Sequence, residues 1–305
     1  MTSHYAANTL PAGDQRYVRG VCAVRMDGRD MLASGASDGT VRIWDLGAGE
    51  QRAILLGHQG PISDLCRVTV EGRDMLASAG GGDLTVRIWD YSAGKSHSVL
   101  RCPDMVWGVC AVNVHGQDFL AGACHDATVL LWDLATGNRT ALDGHQHPVE
   151  SVCPVAVDGR EMVASADLNA TVLIWDPATG EQRATLRGQQ GPIWDMCPVA
   201  VDGRDLLAWA DESAAVRIWD PAAGTQRAVL RGHGRAVHAV CPVTVHGDRL
   251  LASGGDDQMV RIWDPGSGMC VATIPCQGFP LAACQIGWSL AIGRITGIFM
   301  IDLDY

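Results

Sequence analysis

An all-β fold built from seven similar units is predicted by three observations. The dipeptide Trp-Asp ends a short apolar run six times, Ile301-Asp302 ends a seventh, and successive copies are 38 to 45 residues apart. Gly-His and Asp-Gly dipeptides recur between these copies. No segment shows the 3.6-residue apolar period of a helix. Repeats of this length indicate supersecondary units stacked in one domain. The six pairs begin at Trp44, Trp89, Trp132, Trp175, Trp219 and Trp263.

Each repeat has the pattern of four short strands, which the fifth repeat shows clearly. Residues 193–201 form a nearly continuous apolar run, and Asp202-Gly203 is a two-residue hairpin signal. Three further strands are predicted at 205–209, 215–219 and 226–230. The first three strands lack a clean alternation of polar and apolar residues, so both faces of each sheet are expected to be buried.

Prolines identify the innermost strand of a unit. Pro154, Pro198 and Pro242 lie in the middle of the first strand of three repeats. Because proline cannot donate to a ladder, such a strand must have one unpaired edge. We expect that edge to face a central channel.

The cysteines predict buried small side chains, not disulfides. Equivalent positions in stacked sheets lie about 10 Å apart, which is too far for a disulfide. Seven cysteines share one position in their repeats: Cys22, Cys66, Cys110, Cys153, Cys197, Cys241 and Cys284. Four others fall outside this register and receive no role: Cys102, Cys124, Cys270 and Cys276.

These landmarks resemble the WD40 repeat family, in its bacterial type with closely similar repeats. The resemblance covers essentially the whole chain and implies a seven-bladed β-propeller of four-stranded antiparallel blades. It also implies that the strand at Asn8-Thr9-Leu10 closes the ring by pairing with the last blade. We expect one domain over 1–305, with residues 1–16 forming the closing strand and the loop into the first blade. The blades are expected near 17–56, 61–101, 105–143, 148–187, 192–231, 236–275 and 279–302.

A recurring set of His, Ser, Asp and Trp contains the residue types of a hydrolase triad. A triad is needed once, whereas this set recurs with substitutions, and the family resemblance assigns such residues to a buried hydrogen-bond network. We therefore expect a structural role and no catalytic residue. The three networks comprise His58, Ser78, Asp83 and Trp89; His145, Ser165, Asn169 and Trp175; and His233, Ser253, Asp257 and Trp263. In blade five Gln189 and Ser213 replace the His and Asp, and Trp209 is expected to fill the space, as is Trp288 in blade seven.

The position three residues before each register cysteine does not repeat. It holds Arg19, Ser63, Trp107, Glu150, Trp194, His238 and Leu281, and by resemblance it lies at the top rim of the channel. The neighbouring loops add further groups, and Arg294 is expected to join them. The predicted ligand-binding set is Tyr17, Arg19, Met105, Trp107, His125, Glu150, Trp194, Glu212, His238, Asp256 and Phe279. The alternative is that these side chains only plug the channel.

Composition and this rim set the functional expectations. A net charge of −11 argues against nucleic acid or an anionic membrane as partner. Without an apolar signal segment, a cytoplasmic monomer is expected, and no spacing matches a metal or cofactor motif. We predict a non-enzymatic scaffold that binds a peptide or protein segment at the rim, with a cationic group held between Glu150 and the two indoles. The alternative is an enzyme in which Glu150, His125 or His238 transfers protons.

Overall fold

Seven four-stranded antiparallel sheets form the part of the chain that the structure, a computed structural model, describes: residues 7–10, 15–188 and 191–303. No helix occurs within these residues. The strands of the first three blades are β2 (Gly20–Met26), β3 (Arg29–Gly35), β4 (Val41–Asp45), β5 (Glu50–Leu55), β6 (Ile62–Val70), β7 (Arg73–Gly80), β8 (Thr85–Asp90), β9 (Lys95–Arg101), β10 (Val106–Val114), β11 (Gln117–Cys124), β12 (Thr128–Asp133) and β13 (Arg139–Asp143). Blades four to six contain β14 (Val149–Val157), β15 (Arg160–Asp167), β16 (Thr171–Trp175), β17 (Gln182–Arg187), β18 (Ile193–Val201), β19 (Arg204–Asp211), β20 (Ala215–Asp220), β21 (Thr225–Arg231), β22 (Val237–Val245), β23 (Asp248–Gly255), β24 (Met259–Trp263) and β25 (Cys270–Pro275). The last blade combines β1 (Ala7–Thr9) with β26 (Pro280–Ile286), β27 (Ser289–Arg294) and β28 (Gly297–Asp302).

The first strand of each blade is innermost. The strands of blades one to six pair in sequence order, so β14, for example, pairs only with β15. The seven inner strands contact one another in a closed cycle, in which β26 returns to β2. Pro154, Pro198 and Pro242 lie on inner strands, with the unpaired edge that the sequence predicts. The chain is therefore a seven-bladed β-propeller.

The N-terminal strand closes the ring. β1 pairs antiparallel with β28, with Ala7 opposite Ile301 and Thr9 opposite Phe299. The Leu10 amide extends this pairing by donating to the carbonyl of Ile298 at 3.2 Å. The predicted closure is confirmed, and the strand begins one residue earlier than expected.

The core is divided among the junctions between blades. Each of the seven hydrophobic clusters contains side chains from two neighbouring blades, so every sheet is buried on both faces. Full burial of one large aliphatic side chain contributes roughly 1.5–3 kcal/mol. The register cysteines are free and buried or half-buried, and burial raises the pKa of the Cys22 thiol to about 12. They act as small apolar side chains, as predicted.

The hairpin between the two inner strands of a blade lies at the bottom of the propeller, opposite the rim. In blade five Asp202 and Gly203 both have positive φ angles, 52° and 71°, as a type I′ turn requires. In blade seven Trp288 occupies this turn and is 56% exposed, so the expectation that it fills the core was wrong. Trp209, in contrast, is fully buried and stacks on Trp219 with centroids 5.0 Å apart.

Candidate functional site

A β-bulge marks the first strand of blades two to seven. In blade five Ile193 pairs with Asp211 and Asp195 pairs with Ala210, so Trp194 between them has no partner. A bulge redirects the side chain of the unpaired residue. The side chain three positions before the register cysteine therefore does not have to match its equivalents in the other blades. The same register shift skips Ser63, Trp107, Glu150, His238 and Leu281.

These positions converge on one cavity of about 330 Å³ in the channel. We use the name rim for the seven residues at this position, all of which line the cavity: Arg19, Ser63, Trp107, Glu150, Trp194, His238 and Leu281. Most of these side chains are partly accessible, although Ser63 is buried. The structure thus brings together the residues that were predicted to form the site because they differ from repeat to repeat.

One half of the rim is centred on Trp194. Its indole Nε1–H donates to Oε2 of Glu212 at 3.1 Å. The His238 ring lies against the indole, with centroids 5.2 Å apart and planes inclined by 40°. His238 Nε2 is in turn 3.1 Å from Oδ1 of Asp256. Two of the predicted turn residues therefore hold the rim side chains in place.

The other half is centred on Trp107. The guanidinium carbon of Arg19 lies 5.9 Å from the centroid of this ring, within cation–π range. The ring of His125 lies 6.4 Å from the ring of Trp107, and its Nδ1 is 3.8 Å from Asp104. Burial raises the pKa of Glu150 above its ordinary value, although the charges of His125 and Arg19 act in the opposite direction. The chain thus places its own cation on the first indole.

Three further predicted residues do not line the cavity. Tyr17 is 47% exposed and Phe279 is 36% exposed, while Met105 is half-buried and its carbonyl accepts the amide hydrogen of His125. Arg294 was expected to join the rim, but it does not. Its side chain is buried and donates through Nη1 to the carbonyls of Cys276 and Gln277.

The polar networks link the loop that enters a blade to the second and third strands of that blade. In blade two the indole of Trp89 donates to Ser78 Oγ at 2.8 Å, and this hydroxyl lies 2.7 Å from His58 Nε2. His58 Nδ1 lies 2.8 Å from Asp83, and this arrangement places the imidazole proton on Nδ1. Burial lowers the pKa of His58 despite the opposing effect of Asp83. Blade six repeats the network with His233, Ser253, Asp257 and Trp263.

In blade four the partner of His145 is a carboxylate and not the expected amide of Asn169. Asp167, not Asn169, lies 3.0 Å from Nδ1 of His145, and the backbone N–H of Asn169 donates to that carboxylate. Blade six has Gly255 at the Asp167 position, and a Cβ added there would lie 3.0 Å from the ring of His233. A side chain at this position therefore reaches the imidazole directly. Ser165 Oγ lies between the other two members, 2.7 Å from His145 Nε2 and 2.7 Å from Trp175 Nε1, which donates to it.

Blades one and five have other side chains at the positions of the polar network. In blade five Nε of Arg217 donates to Asp211 at 2.6 Å, and both side chains are buried, while Gln189 lies outside the described residues. In blade one Gln15 takes the place of His and accepts the hydroxyl hydrogen of Ser34 at 2.7 Å. The sequence did not reveal Gln15, because it precedes the first full repeat.

Comparison with known families agrees with this geometry. A family model described as "WD domain, G-beta repeat" matches residues 9–45, 49–90, 138–176 and 224–264. The chain belongs to the WD40 repeat family. No match to a curated protein was found.

Two carboxylates in the channel wall of this WD40 propeller were not predicted. Asp64 and Asp195 line the cavity, and burial raises the pKa of each to about 7. Their only sequence signal is an acidic residue at an inner-strand position that is small in the other blades.

Within residues 7–10, 15–188 and 191–303, no three His, Cys, Asp or Glu side chains are grouped as a metal ion would require. The same residues include no helix with the length and apolar character to span a membrane.

Proposed function

We propose that the rim binds a peptide or protein segment through a cationic side chain and that the protein is a non-enzymatic interaction scaffold. WD40 propellers commonly serve as interaction scaffolds. The observation that carries the proposal is the convergence of the bulged, non-repeating side chains on one cavity, with two indoles among them. Tryptophan dominates the energetics of many interfaces.

Charge supports a cationic anchor. Four carboxylates lie at the rim or against the histidines packed on its two indoles, and Arg19 is the cation placed on Trp107. Arg19 also shows that the ring face accommodates a guanidinium. A cation on an indole face is stabilised by about 0.5 to 2 kcal/mol. The carboxylates belong to Asp104, Glu150, Glu212 and Asp256.

The alternative, an enzyme that uses these histidines as proton-transfer groups, has less support. His238 lies against Asp256 and His125 faces Asp104, so each imidazole has a carboxylate neighbour. In the described part of the chain, no Ser, Thr or Cys side chain hydrogen-bonds to either ring. This arrangement favours binding over nucleophilic catalysis.

The test is a titration with acetylated, amidated peptides Ala-Ala-X-Ala-Ala, in which X is Arg, Lys, norleucine or Glu. We expect the Arg and Lys peptides to bind more tightly than the others. Glu150→Gln should weaken their binding about tenfold, as loss of a charge-assisted contact implies. Glu161→Gln makes the same change in the same blade, on β15 far from the rim, and should have no effect.

Arg19→Gln provides a second arm. Because Arg19 occupies the face of Trp107, its removal should strengthen binding of the Arg peptide. A preference for the Glu peptide, or binding of the Arg peptide that is indifferent to Glu150→Gln, would contradict the proposal.

A further inference from the structure

An acidic residue follows the bulge in only two blades. The position two residues before the register cysteine holds Asp64 in blade two and Asp195 in blade five. The other five blades have small residues there, namely Gly20, Gly108, Ser151, Ala239 and Ala282. Repetition of the fold therefore does not require a carboxylate at this position.

Each carboxylate joins the inner strands of two neighbouring blades. Oδ1 of Asp195 accepts the amide hydrogen of Met196 at 2.8 Å, and Oδ2 accepts that of Val240, on the next blade, at 2.9 Å. Inner strands have no ladder partner on the channel side, so these amides would otherwise lack a protein acceptor.

The same arrangement recurs in blade two. Asp64 accepts the amide hydrogens of Leu65 at 2.7 Å and of Val109 at 2.9 Å, and Val109 lies on the inner strand of blade three. Two of the seven junctions are thus joined by a carboxylate.

Both junctions carry an indole of the rim. Trp194 immediately precedes Asp195, and the ring tilted against its indole belongs to His238, two residues before Val240, whose amide Asp195 binds. Trp107 stands two residues before Val109, the amide that Asp64 binds. A bulged residue has no ladder partner of its own, so its direction depends on how firmly the adjoining backbone is held.

We propose that Asp64 and Asp195 are positioning residues that fix the rim tryptophans, Asp195 acting on Trp194 and Asp64 on Trp107. Each carboxylate accepts one backbone amide on each of two neighbouring inner strands, one of which carries the indole, and so sets the spacing of these strands. The importance of this positioning for binding rests on the proposed function, but the positioning itself is measurable without a ligand.

The test uses indole N–H signals in protein labelled with ¹⁵N at tryptophan, assigned with Trp107→Phe and Trp194→Phe. Asn has one acceptor oxygen, so Asp195→Asn leaves one of the two amides facing an NH₂ group. We expect this variant to shift or broaden the Trp194 signal, whose indole donates to Glu212. Indoles that donate to buried serines report an intact fold and should not change: Trp44, Trp89, Trp175 and Trp263.

Matched variants separate positioning from general damage. Asp64→Asn should move the Trp107 signal and leave that of Trp194 unchanged, and it keeps the proposal testable if Asp195→Asn fails to fold. Ser151→Ala, at the same position of blade four, should move neither. Unchanged rim signals in both Asn variants, or equal changes in all indole signals, would overturn the proposal.

Peptide titration then connects positioning to binding. If the Arg peptide binds the parent protein, Asp195→Asn should weaken it about tenfold, a coupling typical of residues that act together. If the peptide does not bind the parent, the proposed function fails, while the indole signals still decide the positioning.

Discussion

Removal of the Asp257 carboxylate by Asp257→Ala tests whether the polar networks stabilise the blades. Asp257 accepts hydrogen bonds from Nδ1 of His233 at 2.9 Å and from the amides of Gly234 at 3.0 Å and Met259 at 3.2 Å. Burial raises its pKa, but these donors outweigh burial and leave the pKa below its ordinary value. The variant therefore leaves three donors without their acceptor.

The magnitude follows from the exposure of the donors. The His233 side chain is 1% exposed, and a buried donor without a partner costs about 1–3 kcal/mol. Gly234 is exposed, so its amide can bind water and loses little. We expect a loss of about 2 kcal/mol in the free energy of unfolding, which corresponds to roughly 4 °C in the thermal midpoint.

The measurement is thermal and urea unfolding of Asp257→Ala beside Asp256→Ala. Asp256→Ala removes the same charge from the adjacent residue, but the partner of Asp256 is His238 at the rim. Its loss should change stability by less than about 0.5 kcal/mol, as is usual for partly exposed pairs. Equal midpoints for the two variants would refute the role assigned to the network.

Three further expectations concern closure, the ion pair and pH. Deleting residues 1–12 removes β1 and should lower the thermal midpoint and cause aggregation on size exclusion, whereas a parent-like melt would contradict the closure argument. Asp211→Ala should cost about 3–5 kcal/mol because it removes the carboxylate to which the buried guanidinium of Arg217 donates, and urea unfolding should show recovery of much of this loss in Asp211→Ala combined with Arg217→Met. Because burial raises the pKa of Asp195 from 3.8 to about 7, its contribution to stability is complete below 3.8 and declines as pH rises through 7. Asp195→Asn should therefore destabilise most at pH 5 and least at pH 8, and urea midpoints showing the reverse trend would contradict this.

The fold was predictable because its signals repeat. Trp-Asp pairs, hairpin dipeptides and register cysteines each recur in phase, so an error in one repeat is corrected by the others. The innermost strand followed from Pro154 and its equivalents, because proline excludes a paired edge. Trp288 was misplaced because the last repeat has diverged, and a turn tryptophan cannot be distinguished from a strand tryptophan without its neighbours.

The site was predictable only where residues break a repeat. Trp107 and Trp194 stand out against scaffold positions, and so do the residues that contact them, but the pairing of these side chains across strands has no sequence signal. Asn169 was assigned by comparison with the sister repeats, whereas His145 pairs with Asp167, two residues earlier in the chain. Asp64 bonds to the next blade, and a contact across a junction cannot be inferred from one repeat.

Closure of the ring by β1 affects the order in which the propeller assembles. Hairpins within a blade join neighbouring segments, whereas Ala7 must meet Ile301 across almost the whole chain. Loop entropy makes this meeting about 4 kcal/mol less favourable than closing a hairpin, and three residue pairs have to offset it. The six preceding blades can therefore form during synthesis, while the seventh is completed last. In native-state hydrogen exchange the Leu10 amide should exchange well before the amides shared by β14 and β15, so the ring opens where it closed.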